Sequence, residues 1–351
     1  MEDFIQRLKR RTFVIAEIGC NHNGDMEIAR RLIQAASEAG ADSAKFQSFN
    51  PGEMITENSP KAAYQIRATG TGESQFQRLS RLTLSPEQHL ELKAFCQELG
   101  IVFCSSPFDF NSVKLLAGLD VPFFKIPSGE ITNLPLLKLI GSFGKPAILS
   151  TGMSTLGEIE TALEAIGEEN RGQIILMHCT SDYPARWDEA NLRAIQTLRE
   201  AFHLPVGFSD HTEGIELPLV AVGLGAVVIE KHITLSKAMD GGDHKASLEP
   251  GEFKDMVVKI RSLEKALGDG IKRCMPSEEN VRDVARKSLV TARPLKKGDQ
   301  LTPEDIAIKR PGTGISPLFL EKIRGARLMA DLPEGRVLQW SQLQLADKEY
   351  N

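Results

Sequence analysis

Two histidines stand 21 residues apart, His211 in GFSDHTEGI and His232 in EKHITL. Each closes a short apolar run, and that spacing is the length of one strand–helix unit. If the two runs are neighbouring parallel strands, about 4.8 Å apart, both imidazoles reach one point. Imidazole nitrogen suits Mn, Fe, Zn or Co, with water or substrate oxygen completing the shell. The competing reading is two core histidines bonded to backbone. His178 ends another run and is a candidate third ligand or supporting group. His22, in CNHNG, reads as a loop-shaping residue, and His89 and His203 as helix-surface residues.

A second constellation is cationic. Lys45 and Lys125 also end apolar runs, with Ser128, Ser150 and Ser209 at comparable positions. Two ammoniums and several hydroxyls suit a phosphate or carboxylate. Ser150-Thr151-Gly152 leads towards a helical segment whose free N–H groups would favour the same anion. The alternative is two lysines paired with rim carboxylates. GxSxG is absent, and the Gly-rich TGTGES lacks the GK[ST] of a P-loop. The residues alone describe a cation site beside an anion pocket. An aldolase, an enolate condensation and a phosphatase all fit.

Eight runs must position these groups: Phe13–Ile18, Ser43–Ser48, Ile101–Ser105, Phe123–Ile126, Ala147–Ser150, Ile174–Cys179, Val206–Phe208 and Val227–Lys231. Amphipathic stretches such as Asp25–Ala39 and Pro86–Leu99 separate them, with Ile28, Leu32, Ala35 and Ala36 at helical spacing. Eight strands alternating with helices predict a (β/α)8 TIM barrel, whose active site lies at the C-terminal strand ends. An open doubly wound sheet is less consistent, because no GxGxxG follows the first run. The strand-end rule selects Glu17, Lys45, Ser105, Lys125 with Ser128 and Glu130, Ser150, the stretch His178 to Tyr183, Ser209 to His211 and Glu230 to His232. The long polar interval Phe49–Leu84, with Lys61, Tyr64, Gln65, Arg67 and Gln75, would cover that face.

The barrel is expected over residues 1–268, followed by a linker over 269–287 and a small domain over 288–351. In that domain Leu295, Gly298, Leu301 and Ile306 recur as Leu332, Gly335, Leu338 and Leu343, an internal repeat. The chain has 351 residues, 42 Lys+Arg against 47 Asp+Glu and 41% hydrophobic residues, which excludes global disorder. It has no long basic run for nucleic acid or an anionic membrane, and no apolar window of about 20 residues. Five cysteines without CxxC spacing, and an N-terminus without a signal-peptide pattern, predict a cytoplasmic protein with reduced thiols.

Nine motifs together resemble the sialic acid (nonulosonate) synthase family: AEIGCNHNG, AKFQSF, FKIPSGEITNLP, ILSTGM, HCTSDYP, GFSDHTEGI, EKHITL, GGDHKASLEP and KRPGTGISP. The resemblance implies an α/β (β/α)8 barrel followed by a C-terminal antifreeze-protein-like (SAF, β-clip) domain. It also implies condensation of phosphoenolpyruvate with an N-acetylated mannosamine-type sugar, with C–O cleavage and a divalent metal, Mn or Mg. His211 and His232 are then the metal ligands. Lys45, Lys125, Ser128, Ser150, Ser209 and Tyr183 hold phosphoenolpyruvate, and Glu17 orients or deprotonates water. Glu130 and Asp243 meet sugar hydroxyls. Arg310 reaches across a domain-swapped homodimer towards the sugar's N-acetyl group. N-acetylneuraminate is the expected product, with N,N'-diacetyllegionaminate the alternative. One departure is the Ser181-Asp182 pair, since some members carry Asn in that gap and a carboxylate there would repel phosphate. A non-catalytic ice- or polysaccharide-binding reading of the small domain is disfavoured, because its repeats mix Lys, Glu and Pro.

Overall fold

The computed structural model describes residues 4–8, 10–70 and 72–345, side chains excepted at 6, 7 and 67–69. It divides into two units, Met1–Gly268 and Asp269–Asn351. In the first, eight parallel strands match the eight apolar runs: β1 (Phe13–Gly19), β2 (Ser43–Ser48), β3 (Val102–Pro107), β4 (Phe124–Ile126), β5 (Ala147–Ser150), β6 (Ile174–Cys179), β7 (Val206–Asp210) and β8 (Val228–His232). Their hydrogen-bonded order is β3-β2-β1-β8-β7-β6-β5-β4. The end strands β3 and β4 lie side by side, so the sheet closes into the expected barrel.

Strand side chains alternate with period two, and this parity sets every residue's side of the wall. Phe13 and Ile15 of β1 face inward with Cys104, Phe123, Ile148, Ile175, Met177 and Val228, forming the floor of the barrel. Val14, Ala16 and Ile18 face outward into the cluster shared with the surrounding helices, including Ala29, Leu32, Ile33 and Ala36. The N-terminal helix Phe4–Leu8 closes the floor, the Phe4 ring stacking on Phe123 at 4.5 Å. Truncating Phe123 to alanine would cost about 3–5 kcal/mol by the usual cavity penalty. Apolar groups fill most of the N-terminal half, where Ser43 bonds to Cys104 at 3.2 Å, and the charged inward positions lie above them.

The interval after β2 is largely helical among its described residues. It contains the helices Pro51–Met54, Ala63–Thr69 and Gln75–Leu82, started by Asn50 and by a Ser74–Gln77 capping box. Phe49, Leu79 and Leu82 pack with Cys20 into a small apolar cluster that fixes these helices over the barrel mouth. No helix among the described residues is long and apolar enough to cross a membrane, and all five cysteines are free thiols.

The second unit begins with the helix Glu279–Ala285, so the stretch expected as a linker carries its own structure. Strand β9 (Ser288–Thr291) pairs antiparallel with β10 (Ile306–Lys309), and β11 (Arg327–Leu328) with β12 (Leu343–Gln344). The internal repeat is a structural one. Leu295 and Leu332 exchange reciprocal backbone hydrogen bonds of 2.9 Å. Leu301 donates its N–H to Ala326 and its repeat partner Leu338 to Leu289, each at 2.9 Å. Leu295, Leu301, Leu332 and Leu338 are buried in one core with Leu289, Ile315 and Leu328.

Candidate active site

Inward parity brings Glu17 (β1), Lys45 (β2), Lys125 (β4), Ser150 (β5), Ser209 (β7) and Glu230 (β8) to one level of the barrel, all buried. Glu230 stands between the two ammoniums, 3.6 Å from Lys45 and 3.6 Å from Lys125. Ser209 donates to its Oε1 at 3.1 Å. Lys45 also contacts Glu17 at 2.8 Å and donates to Ser106 at 3.1 Å, while Lys125 donates to Ser150 at 2.6 Å. Gln47 donates to the other oxygen of Glu17 at 3.1 Å. A side chain at Gly19 would place its Cβ 2.8 Å from that same oxygen, at a φ of +51°, so glycine is what lets Glu17 turn inward.

The charges respond to burial and to one another. Burial opposes the negative charge on Glu230, but Lys125 and Lys45 outweigh it and hold its pKa below the usual value. Burial pushes Glu17 up to about 7 against the pull of Lys45, with Glu230 adding to the rise. Burial opposes the ammonium of Lys45, yet Glu17 and Glu230 raise its pKa. Lys125 is lowered, by burial first and Lys45 as well, although Glu230 resists. The result is a carboxyl with a raised pKa beside two ammoniums that share a buried carboxylate.

His211 and His232 follow one step above, their ring centroids 5.5 Å apart, and the Tyr183 ring lies 4.1 Å from that of His211. Burial lowers His211 to about 4 and His232 well below its ordinary value, so both are neutral imidazoles at neutral pH. His211 Nδ1 donates to the Thr180 carbonyl at 2.6 Å, which makes Nε2 the nitrogen with the lone pair, 3.3 Å from Ser209 Oγ. Nδ1 of His232 is buried with no hydrogen-bond partner. Two neutral imidazoles, one fixed in tautomer and one with an unsatisfied nitrogen, fit a divalent cation. Among the described residues no group of three or more His, Cys, Asp or Glu could hold a metal, so water or substrate oxygen would complete the shell.

These residues line one cavity of about 350 Å³, together with Ser128, Ser181, Asp243 and, from the interval after β2, Tyr64, Gln65, Gln75 and Arg78. Asp182 is not in its lining; its carboxylate accepts from the Tyr183 N–H at 3.1 Å, so Ser181 is the member of the gap that faces the cavity. Glu130 lies outside the lining, its carboxylate held by Asn133 at 2.7 Å. Arg310 is exposed in the second unit, directly after β10. The side chain of Arg67 lies outside the described residues.

Three expectations change. His178 cannot be a ligand, because Met177 and Cys179 of β6 are its neighbours and Cys179 points into the mouth. The His178 imidazole faces outward, stacks on Phe208 and pairs with the Ala190 carbonyl at 2.8 Å. His89 is fully buried rather than a helix-surface residue, bonded to Ser48 at 2.7 Å and to the Ser85 carbonyl at 2.8 Å. The helix after β5 starts only at Leu156, with Thr155 and Glu158 forming its capping box, so Ser150-Thr151-Gly152 does not lead directly into a helix N-terminus. Gln47, Ser106 and Arg78 line the site although neither the strand-end rule nor the motifs single them out as site residues. Ser105, at a selected strand end, has the opposite parity to Ser106 and bonds to Ser48 at 2.7 Å instead of lining the cavity.

A NeuB family model matches residues 32–272, and an SAF domain model matches residues 286–344. The chain is 49% identical over 318 residues to the N,N'-diacetyllegionaminic acid synthase of Campylobacter jejuni, a match covering 90% of this chain and 95% of that protein. It is 44% identical over 336 residues to the N,N'-diacetyllegionaminic acid synthase of Legionella pneumophila, covering 95% and 94%. The crystal structure of an N-acetylneuraminic acid (sialic acid) synthetase from Leptospira borgpetersenii, in complex with citrate, aligns with a TM-score of 0.69 at 36% identity. That alignment covers 77% of this chain and 90% of the other.

Proposed function

This chain belongs to the NeuB family and is a sugar-acid synthase, and from that premise we propose that it condenses phosphoenolpyruvate with 2,4-diacetamido-2,4,6-trideoxymannose to give N,N'-diacetyllegionaminate and phosphate. One observation carries the chemistry: two ammoniums flank one buried carboxylate in the same cavity as two neutral imidazoles. The sugar is supported by the relatives. Identity is 49% and 44% to proteins named for legionaminic acid, against 36% to the one named for sialic acid. This reverses the order of products expected from the motifs alone, where N-acetylneuraminate stood ahead.

Lys45 and Lys125, with Ser128, Ser150 and Ser209, bind the phosphate and carboxylate of phosphoenolpyruvate, and Tyr183 packs beside them. Charge-assisted hydrogen bonds of this kind fix orientation as well as affinity. His211 and His232 would hold a divalent ion, Mn or Mg, which when bound polarises the sugar aldehyde as a Lewis acid. Held by the lysines, the enol C3 attacks that aldehyde carbon and C2 becomes electron-poor. Glu17, with its pKa near neutrality, takes a proton from the water that adds to C2 and returns it to the alkoxide formed from the aldehyde, and the proton left on the C2 hydroxyl departs with the phosphate. The tetrahedral centre then expels phosphate with the bridging oxygen, and the two lysines stabilise the departing charge. Asp243 binds the sugar from the cavity wall, as does Glu130 if its turn rotates on substrate binding.

The exposed Arg310 is proposed to complete a partner subunit's cavity in a homodimer. Mixing His211→Ala with Arg310→Ala subunits under exchange conditions restores activity if so, and restores none if Arg310 serves its own chain. The substrate reading is tested by supplying equimolar N-acetylmannosamine and the diacetamido sugar with phosphoenolpyruvate. Mass spectrometry should find the diacetamido nonulosonate in excess. An excess of N-acetylneuraminate would reverse the assignment.

A further inference from the structure

Arg78 is buried, at 5% relative exposure, on the helix Gln75–Leu82, yet its guanidinium has no side-chain hydrogen bond or ion pair among the described residues. It faces the active cavity, where Asp243, at 8% exposure, has Oδ1 buried and without a hydrogen-bond partner. The two belong to one wall: a Cβ placed on Gly242, the neighbour of Asp243, would lie 2.9 Å from an Arg78 guanidinium nitrogen. They form no direct salt bridge. Asp243 Oδ1 is thus a buried acceptor left unsatisfied, which is costly unless a bound group supplies the missing bond, and the unpaired guanidinium of Arg78 opens onto the same cavity.

The chemistry of that group follows from the pair. It must donate to Asp243 and accept from Arg78; a hydroxyl does both through one oxygen, whereas an amide does so through its N–H and its C=O and can span a wider gap. A phosphate is disfavoured, since Asp243 and Asp240 put two carboxyl groups on the same wall, while the cation Arg81 there is already paired with Glu73 at 3.5 Å. A secondary amide has one N–H and one C=O, and its methyl would lie against Leu79 and Cys20, which are apolar and buried beside Arg78. Resting on the diacetamido-sugar reading above, we propose that Arg78 is a specificity residue that, with Asp243, binds the second acetamido group of the sugar, the group N-acetylmannosamine lacks.

The test compares kcat/KM for the diacetamido sugar and for N-acetylmannosamine in the wild type, Arg78→Met and Arg78→Lys. Phosphoenolpyruvate binding, measured calorimetrically, verifies that each variant is folded. The ratio of the two kcat/KM values should fall about tenfold or more in Arg78→Met, chiefly through KM for the diacetamido sugar. Arg78→Lys, which keeps the charge and loses the planar fork, should fall between. A wild type that prefers the diacetamido sugar and a Met variant that keeps this preference would overturn the inference alone. So would equal losses with both sugars. A wild type that uses only N-acetylmannosamine would overturn the substrate reading, and this inference with it.

Discussion

Lys231 and Asp210 form a 2.5 Å ion pair with neither side chain exposed, one residue before His232 on β8 and one residue before His211 on β7. Parity turns both outward while the two imidazoles turn inward. Lys231 also donates to the Thr212 carbonyl, and Asp210 accepts from the Thr212 N–H at 2.9 Å and hydroxyl at 2.8 Å. One buried pair therefore ties together the two strand ends that carry the imidazoles. Removing one partner strands a buried charge at a cost of about 3–5 kcal/mol. Lys231→Met and Asp210→Leu should each destabilise by that order, and the double variant by clearly less than their sum. Denaturant unfolding in a double-mutant cycle measures this, and additive losses would mean that the pair is uncoupled.

The imidazole pair predicts dependence on a divalent ion. Exhaustive chelation should abolish phosphate release, and added Mn or Mg should restore it. Titrated with Mn(II) and followed by electron paramagnetic resonance, His211→Ala and His232→Ala should bind no stoichiometric ion while keeping the wild-type circular dichroism spectrum. Full activity after chelation would remove the metal from the account.

The lysines predict a split between substrates. Lys45→Met and Lys125→Met should raise KM for phosphoenolpyruvate about tenfold or more, as expected for the loss of about 1.5–3 kcal/mol of charge-assisted bonding. The effect on sugar KM should be smaller. Steady-state kinetics with each substrate varied in turn decides it, and equal losses would assign the lysines to holding Glu17 and Glu230 in place.

Stability of the protein without ligands should fall in acid through a group remote from the imidazole pair. Burial, with His89 adding, lowers His22 to about 4 from 6.5, and its Nδ1 accepts the Gly24 N–H at 3.0 Å. The unfolded chain therefore takes up a proton that the folded chain refuses between these two values. Stability is full above pH 6.5 and declines as pH falls towards 4, by about 3 kcal/mol in total from this one site. The His22→Asn variant should lose that part of the slope in urea unfolding at stepped pH. An unchanged slope would show that His22 is protonated in the folded state.

Much of this was legible in the sequence because strand ends and parity are local signals. The eight runs, the inward Glu17, Lys45 and Lys125, and the repeat through Leu295 and Leu332 all follow from spacing. Some misreadings had signals that were passed over. His89 shares a helical face with Leu92 and Cys96, three and seven positions on, and is buried with them. Thr155 and Glu158 spell a capping box that claims the helix start. Arg78 had no such signal, because what makes it notable is Asp243, far away in sequence and brought near only by the fold. The sugar was not legible from motifs that related synthases share.

The fate of the bridging oxygen of phosphoenolpyruvate tests the central claim most directly. With that oxygen labelled as 18O and the diacetamido sugar as co-substrate, the mass of the released inorganic phosphate is measured. Condensation followed by C–O cleavage predicts that the phosphate carries the label in full. Unlabelled phosphate would mean P–O cleavage, and the chemistry assigned to Lys45, Lys125 and Glu17 would be wrong.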